Sequence, residues 1–86
     1  MEYNDAIKNR LRRAEGQIKG VLNMMENEKD CRDIVSQLNA IRSAVDRVIG
    51  LVVANNLESC IRTGIETGSS SEDAIQEAVN LIVKSR

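Results

Sequence analysis

The chain of 86 residues has no histidine, no proline, no tryptophan and no phenylalanine, and Tyr3 is its single aromatic residue. Without histidine, imidazole is unavailable both as an acid–base group and as a metal ligand. Without proline, and with five glycines against 29% charged residues, the composition favours helix over sheet. The lack of large aromatics leaves the core to Val, Ile, Leu, Met and Ala, as in helix bundles. No apolar run approaches the roughly 20 residues that a membrane-spanning helix needs, and the start MEYNDAIKNR lacks a signal-peptide core. A cytoplasmic protein with no membrane partner is expected. No acid–base pair and no phosphate-cradling loop stands out, so an enzyme is not expected, nor is a cofactor. Cysteine is limited to Cys31 and Cys60. In a reducing compartment such a pair points to reactivity or metal binding rather than to a permanent staple.

What the chain does have is helical periodicity. Ile7, Leu11, Ala14, Ile18, Val21 and Met25 recur at alternating steps of four and three, which marks an amphipathic first helix. The polar stretch ENEKD (26–30) reads as a turn, with Asp30 capping a second helix and Asp33 in its first turn. In that helix Ile34, Leu38, Ile41, Val45, Val48 and Val52 continue the stepping, and Val35, Ile49 and Val53 widen the stripe. The pattern extends through Asn56 and Cys60 and is expected to fray at Gly64. A helix of about 33 residues is roughly 50 Å long. A compact domain of this size has a radius of gyration of only about 12 Å. The second helix therefore outruns its own domain, and its stripe calls for a partner chain. After TGSSSED, with Ser70 or Ser71 as cap, Ile75, Val79, Ile82 and Val83 mark a short third helix ending on Lys84 and Arg86. The expectation is one all-α domain over 1–86, a three-helix protomer with a long second helix.

On one straight helix Cys31 and Cys60 are roughly 43 Å apart. A disulfide needs Cα atoms within about 7 Å, so the two cannot meet within one chain. Both nevertheless keep register with the apolar seam. An antiparallel pairing of the second helix with its copy sets Cys31 of one chain beside the partner's Cys60, and two-fold symmetry repeats the site. Inert burial as small hydrophobes is the bland alternative. Against it, Cys31 opens a helix at the positive end of the dipole, flanked by Lys29 and Arg32, although Asp30 and Asp33 oppose them. A metal is the rival chemistry. Two thiolates suit Cu(I), whereas tetrahedral Zn²⁺ takes four N or S ligands, and Asn56 is a poor ligand for a soft ion.

The formal net charge is −1, but it is unevenly spread. Between Ile7 and Met25, Lys8, Arg10, Arg12, Arg13 and Lys19 stand against Glu15 alone. On a helical wheel Lys8, Arg12 and Lys19 fall on one flank of the apolar stripe and Arg10, Arg13 and Gln17 on the other. Asn9, Gly16, Gly20 and Asn23 lie opposite. A basic face on an acidic protein is a candidate for a polyanion, such as double-stranded DNA met mainly through its phosphates. Arg47, outward on the second helix, is a weaker candidate. The other class of function open to this pattern is a helical oligomerisation module that does not touch DNA.

RLRRAEGQIKGVLNMM (10–25), Cys31 opening the next helix, QLNAIRSAV (37–45), and Cys60 after NNLES together resemble the CsoR/RcnR family of bacterial helical repressors across nearly the whole chain. That resemblance implies three-helix protomers in an antiparallel homodimer assembling to a homotetramer, which releases operator DNA when an inducer occupies the cysteine site. Copper-sensing members place a histidine one turn before the second cysteine, where this chain has Asn56. The two cysteines without the histidine are similar to the persulfide-sensing branch, CstR. This implies reactive sulfur species as inducer, Cys31 and the partner's Cys60 as the redox-sensing pair, no metal, and control of sulfide-detoxification genes. A Cu(I)-responsive repressor using the two thiolates alone is the alternative. Arg10 and Arg13 match basic positions tied to DNA binding in the family.

Overall fold

Asn4 begins the ordered architecture by capping the first helix. Its backbone is extended, at φ −73° and ψ 163°, and its side-chain Oδ1 accepts the Ile7 N–H at 2.9 Å. That bond satisfies one of the donors a helix start leaves unpaired. From there the computed structural model, which describes residues 3–67 and 72–84, shows α1 (Asp5–Glu26), α2 (Cys31–Thr67) and α3 (Glu72–Lys84). Among the described residues there is no strand. The all-α, three-helix expectation holds.

The turn after α1 is built from backbone bonds. Glu28 N–H donates to Met25 O at 3.1 Å and Lys29 N–H to Met24 O at 2.9 Å. This paired closure of a helix C-terminus requires a left-handed residue between them. Glu28 takes that role at φ 55°, the conformation that glycine adopts without a Cβ penalty. Asn27 reinforces the stop, its Nδ2 donating to Asn23 O at 2.8 Å. On the far side the Asp30 carbonyl accepts from Asp33 N–H at 3.0 Å and Ile34 N–H at 3.1 Å, which places Asp30 at the head of α2 as expected. The second helix runs to Thr67, past the glycine at which fraying was expected. Ser70, Ser71 and Arg86, assigned to the cap and end of the third helix, lie outside the described residues.

The chain divides into two compact units. One spans Asn4–Val48, and the other takes in Ile49–Arg86. In the first, Ile7, Ala14 and Val21 of α1 are buried, as are Ile41 and Val48 of α2. Spacings of seven keep each set on one helical face. In the second, Val53 of α2 and Ala78 of α3 are buried. These cores are small. Leu11, Ile18, Leu22 and Met25 of α1 and Val35 and Leu38 of α2 remain between 43% and 56% exposed. The stripe on α1, expected as one face, thus splits into an inner row and an outer row. Ile75, Val79, Leu81, Ile82 and Val83 of α3 are exposed as well.

Candidate thiol sensor and nucleic-acid interface

The inner and outer rows of the Asn4–Val48 unit define where anything else can bind. Residues 27–30 join α1 to the first part of α2 within one compact unit, and each helix buries a row of residues in it, the arrangement of a helical hairpin. On α1 the exposed row of Leu11, Ile18 and Leu22 is rotated about 60° from the buried row, and on α2 Cys31, Val35 and Leu38 are rotated about 100° in the same sense. For antiparallel helices, rotation in the same sense leads to the same side of the hairpin. Leu11, Ile18, Leu22, Val35 and Leu38 therefore form one apolar face, and Cys31 lies on it. A face of this kind on a small helical unit is the signature of an interaction surface.

Cys31 is the first residue of α2 and is exposed. Cys60 lies in the second half of the same helix and is also exposed. Both are free thiols. Asn56, one turn before Cys60, is half-buried. Among the described residues no group of three or more His, Cys, Asp or Glu side chains could hold a metal ion.

Of the expected nucleic-acid contacts, Lys8, Arg10, Arg12, Arg13 and Lys19 of α1 and Arg47 of α2 are all exposed. The two flanks of α1 differ. A shallow concavity of about 270 Å³ is lined by Lys8, Leu11, Arg12 and Glu15, so this flank borders the outer apolar row and carries an acid among its bases. Arg12 is held along the helix, its Nη1 donating to Asn9 Oδ1 at 2.9 Å. The Arg10–Arg13 flank lies on the other side of the inner row and includes the half-buried Gln17. It contains no carboxylate. A partner seated on the apolar face leaves it open to solvent and to phosphates. Across the outward face, a Cβ added at Gly16 or Gly20 would meet nothing within 4 Å. No helix among the described residues is long and apolar enough to cross a membrane.

A family model described as metal-sensitive transcriptional repressor matches residues 3–84. The chain belongs to this family. Its members are transcriptional repressors rather than enzymes, and they bind DNA as oligomers. The chain is 36% identical over 80 residues to the copper-sensing transcriptional repressor CsoR of Bacillus subtilis, covering 93% of this chain and 78% of that one. It is 52% identical over 63 residues to the uncharacterized protein YrkD of the same bacterium, covering 73% of this chain and all of that one. Among solved structures, the nickel-responsive transcriptional regulator InrS superposes with a TM-score of 0.76 at 30% identity, covering 96% of this chain and 92% of that chain. The CsoR/RcnR resemblance is thereby borne out, and an oligomerisation module with no role on DNA is set aside. The inducer of this chain is a separate matter, because its donor set is two cysteines and no histidine.

Proposed function

We propose that this repressor is switched by sulfane sulfur, in persulfides or polysulfides, acting on Cys31 and the partner's Cys60 in an antiparallel homodimer that assembles to a homotetramer. The observation that carries this reading is a pair of exposed, free thiols in a chain without a single histidine. The Cys31 thiolate attacks the sulfane sulfur of R–S–SH. The S–S bond breaks, R–S⁻ leaves, and Cys31 carries the persulfide. The thiolate of the partner's Cys60 then attacks Cys31 Sγ, the Sγ–SH bond breaks, and hydrosulfide leaves. In sum, two thiols are oxidised by two electrons to a disulfide while one sulfane sulfur is reduced to sulfide. The steps are ordinary thiol–disulfide exchange and need no metal. DNA is held through phosphates by Arg10 and Arg13, with Lys8, Arg12, Lys19 and Arg47 contributing charge. One cytoplasmic domain of 86 residues thus serves as both sensor and DNA-binding module, and the regulated genes would be those that remove sulfide.

The relation to copper-sensing CsoR favours a second reading, in which the two thiolates hold Cu(I) in two-coordinate geometry. Intact mass spectrometry after polysulfide treatment separates the two. The sulfur switch yields covalent dimers of twice the 9.5 kDa chain, lost in Cys31→Ser and in Cys60→Ser. Monomers with untouched thiols, together with tight Cu(I) binding against a competing chelator, would establish the copper reading instead.

A further inference from the structure

Arg42 interrupts the exposed strip of α2. Cys31, Val35 and Leu38 step along it by four and three, and the next step of four reaches Arg42, which is exposed. One turn further stands Asp46, also exposed. Among the described residues neither takes part in an ion pair, although they sit four apart on one helix, a spacing at which Glu58 and Arg62 do pair. A guanidinium in the middle of a face that a second chain covers would be stripped of water without compensation unless a counter-charge met it there.

We infer that the occupant of this face is a second copy of the chain, and that Arg42 of each copy pairs with Asp46 of the partner subunit across the two-fold axis. This pairing rests on the antiparallel dimer proposed above. If Cys31 lies opposite the partner's Cys60, position n lies opposite 91 − n, and the axis falls between residues 45 and 46. Asp46 of the partner subunit then lies opposite Val45, three positions from Arg42, or about 4.5 Å along the helix. A long arginine side chain spans that offset readily. On the wheel both side chains turn to the same flank of the seam, as the pairing requires. Symmetry makes two bridges, one on each side of the axis, and they fix the register that sets the thiols opposite one another.

Charge reversal tests this by mixing. The Arg42→Asp chain is acidic at both positions and the Asp46→Arg chain basic at both. Each alone should dimerise at least tenfold more weakly than the parent in sedimentation equilibrium. A one-to-one mixture should recover to within about threefold of the parent, because charges become complementary only between chains. Within each chain they stay repulsive, so recovery cannot come from an intrachain pair. A mixture no tighter than its components, or single variants that assemble like the parent, overturns the inference. Should reversal unfold either chain, seen as lost helical circular dichroism, Arg42→Gln replaces it. That variant should weaken assembly three- to tenfold and flatten its salt dependence, and an unchanged affinity counts against the pairing. A parent that is monomeric at these concentrations, or that forms no Cys31–Cys60 cross-link between chains, would instead count against the dimer itself.

Discussion

Replacing Leu38 by alanine and Ile41 by alanine should affect two different equilibria, although the residues are three apart on one helix. Leu38 keeps 43% of its surface exposed in the protomer, whereas Ile41 keeps 7%. Full burial of a leucine side chain contributes about 2 kcal/mol, so covering the exposed share in a dimer contributes about 0.9 kcal/mol per copy. The two-fold doubles this to about 1.7 kcal/mol, and alanine retains roughly a third of it. Leu38→Ala should therefore weaken dimerisation by about 1.2 kcal/mol, or roughly eightfold in Kd. Ile41→Ala should cost about 2–5 kcal/mol within the protomer itself. Sedimentation equilibrium reads the first, and urea unfolding at several protein concentrations reads the second, since linked association makes the midpoint concentration-dependent. Ser43→Ala, exposed and away from the strip, is the control. Dimerisation of Leu38→Ala within twofold of the parent, or an equal loss in Ser43→Ala, would refute this division of roles.

Other substitutions probe the remaining elements. Glu28→Gly should stabilise the fold by about 1 kcal/mol, because the left-handed φ of 55° carries a Cβ penalty that glycine lacks; thermal unfolding reads it, and a loss would show that the glutamate side chain matters more than its backbone. Gly16→Ala and Gly20→Ala should each stabilise α1 by about 1 kcal/mol, since the added methyl meets open space; a lower melting temperature would contradict this. The double variant Arg10→Ala, Arg13→Ala should bind operator more weakly, and its log K against log salt slope should flatten by about 0.9 for each phosphate that is no longer neutralised. An unchanged slope in a gel-shift titration would remove these arginines from the interface.

The three helices and their breaks were legible because each carries a strong local signal. Steps of three and four mark α1 and α2, ENEKD marks the first turn, and Asp30 heads α2. Asn4 carries the same kind of signal, an amide just before an apolar run, which the stepping of apolar residues by itself does not reveal. Glu28 was not legible at all, since the left-handed position of a helix stop is ordinarily filled by glycine or asparagine. The expected end of α2 falls short of the real one because a glycine lowers helix propensity by about 1 kcal/mol, an amount that tertiary packing overrides; Gly64 is in fact buried. Periodicity also could not separate Ile7, Ala14 and Val21 from Leu11, Ile18 and Met25. Both rows are apolar at helical spacing, and only the position of the neighbouring helix decides which row is covered. For the site, residue types alone reveal the thiols and the bases. The difference between the two basic flanks became visible only once the outer apolar row was seen to adjoin Lys8 and Arg12.

The proposed chemistry constrains how induction can work. A disulfide between copies holds two chains together at any dilution, so the oxidised dimer cannot let go of DNA by falling apart. Release comes instead from moving the basic groups relative to one another, within a dimer or between the two dimers of the tetramer. The hairpin supplies the coupling, since α1 is seated on the first half of α2 through Ile7, Ala14 and Val21. A shift of α2 against its copy, imposed at Cys31, therefore carries Arg10 and Arg13 with it. Phosphates on a rigid duplex recur at fixed intervals, so a displacement of a few ångströms between copies takes several bases out of reach together. In free-energy terms the oxidised and DNA-bound geometries of one assembly compete, and the coupling must be reciprocal. Operator DNA should accordingly slow cross-linking by polysulfide by making the bonded geometry harder to reach. Non-reducing gel time courses with and without operator would measure that slowing, with a non-specific duplex of equal length as the control. Equal rates on both duplexes would mean that the thiols and the bases are not linked through α2.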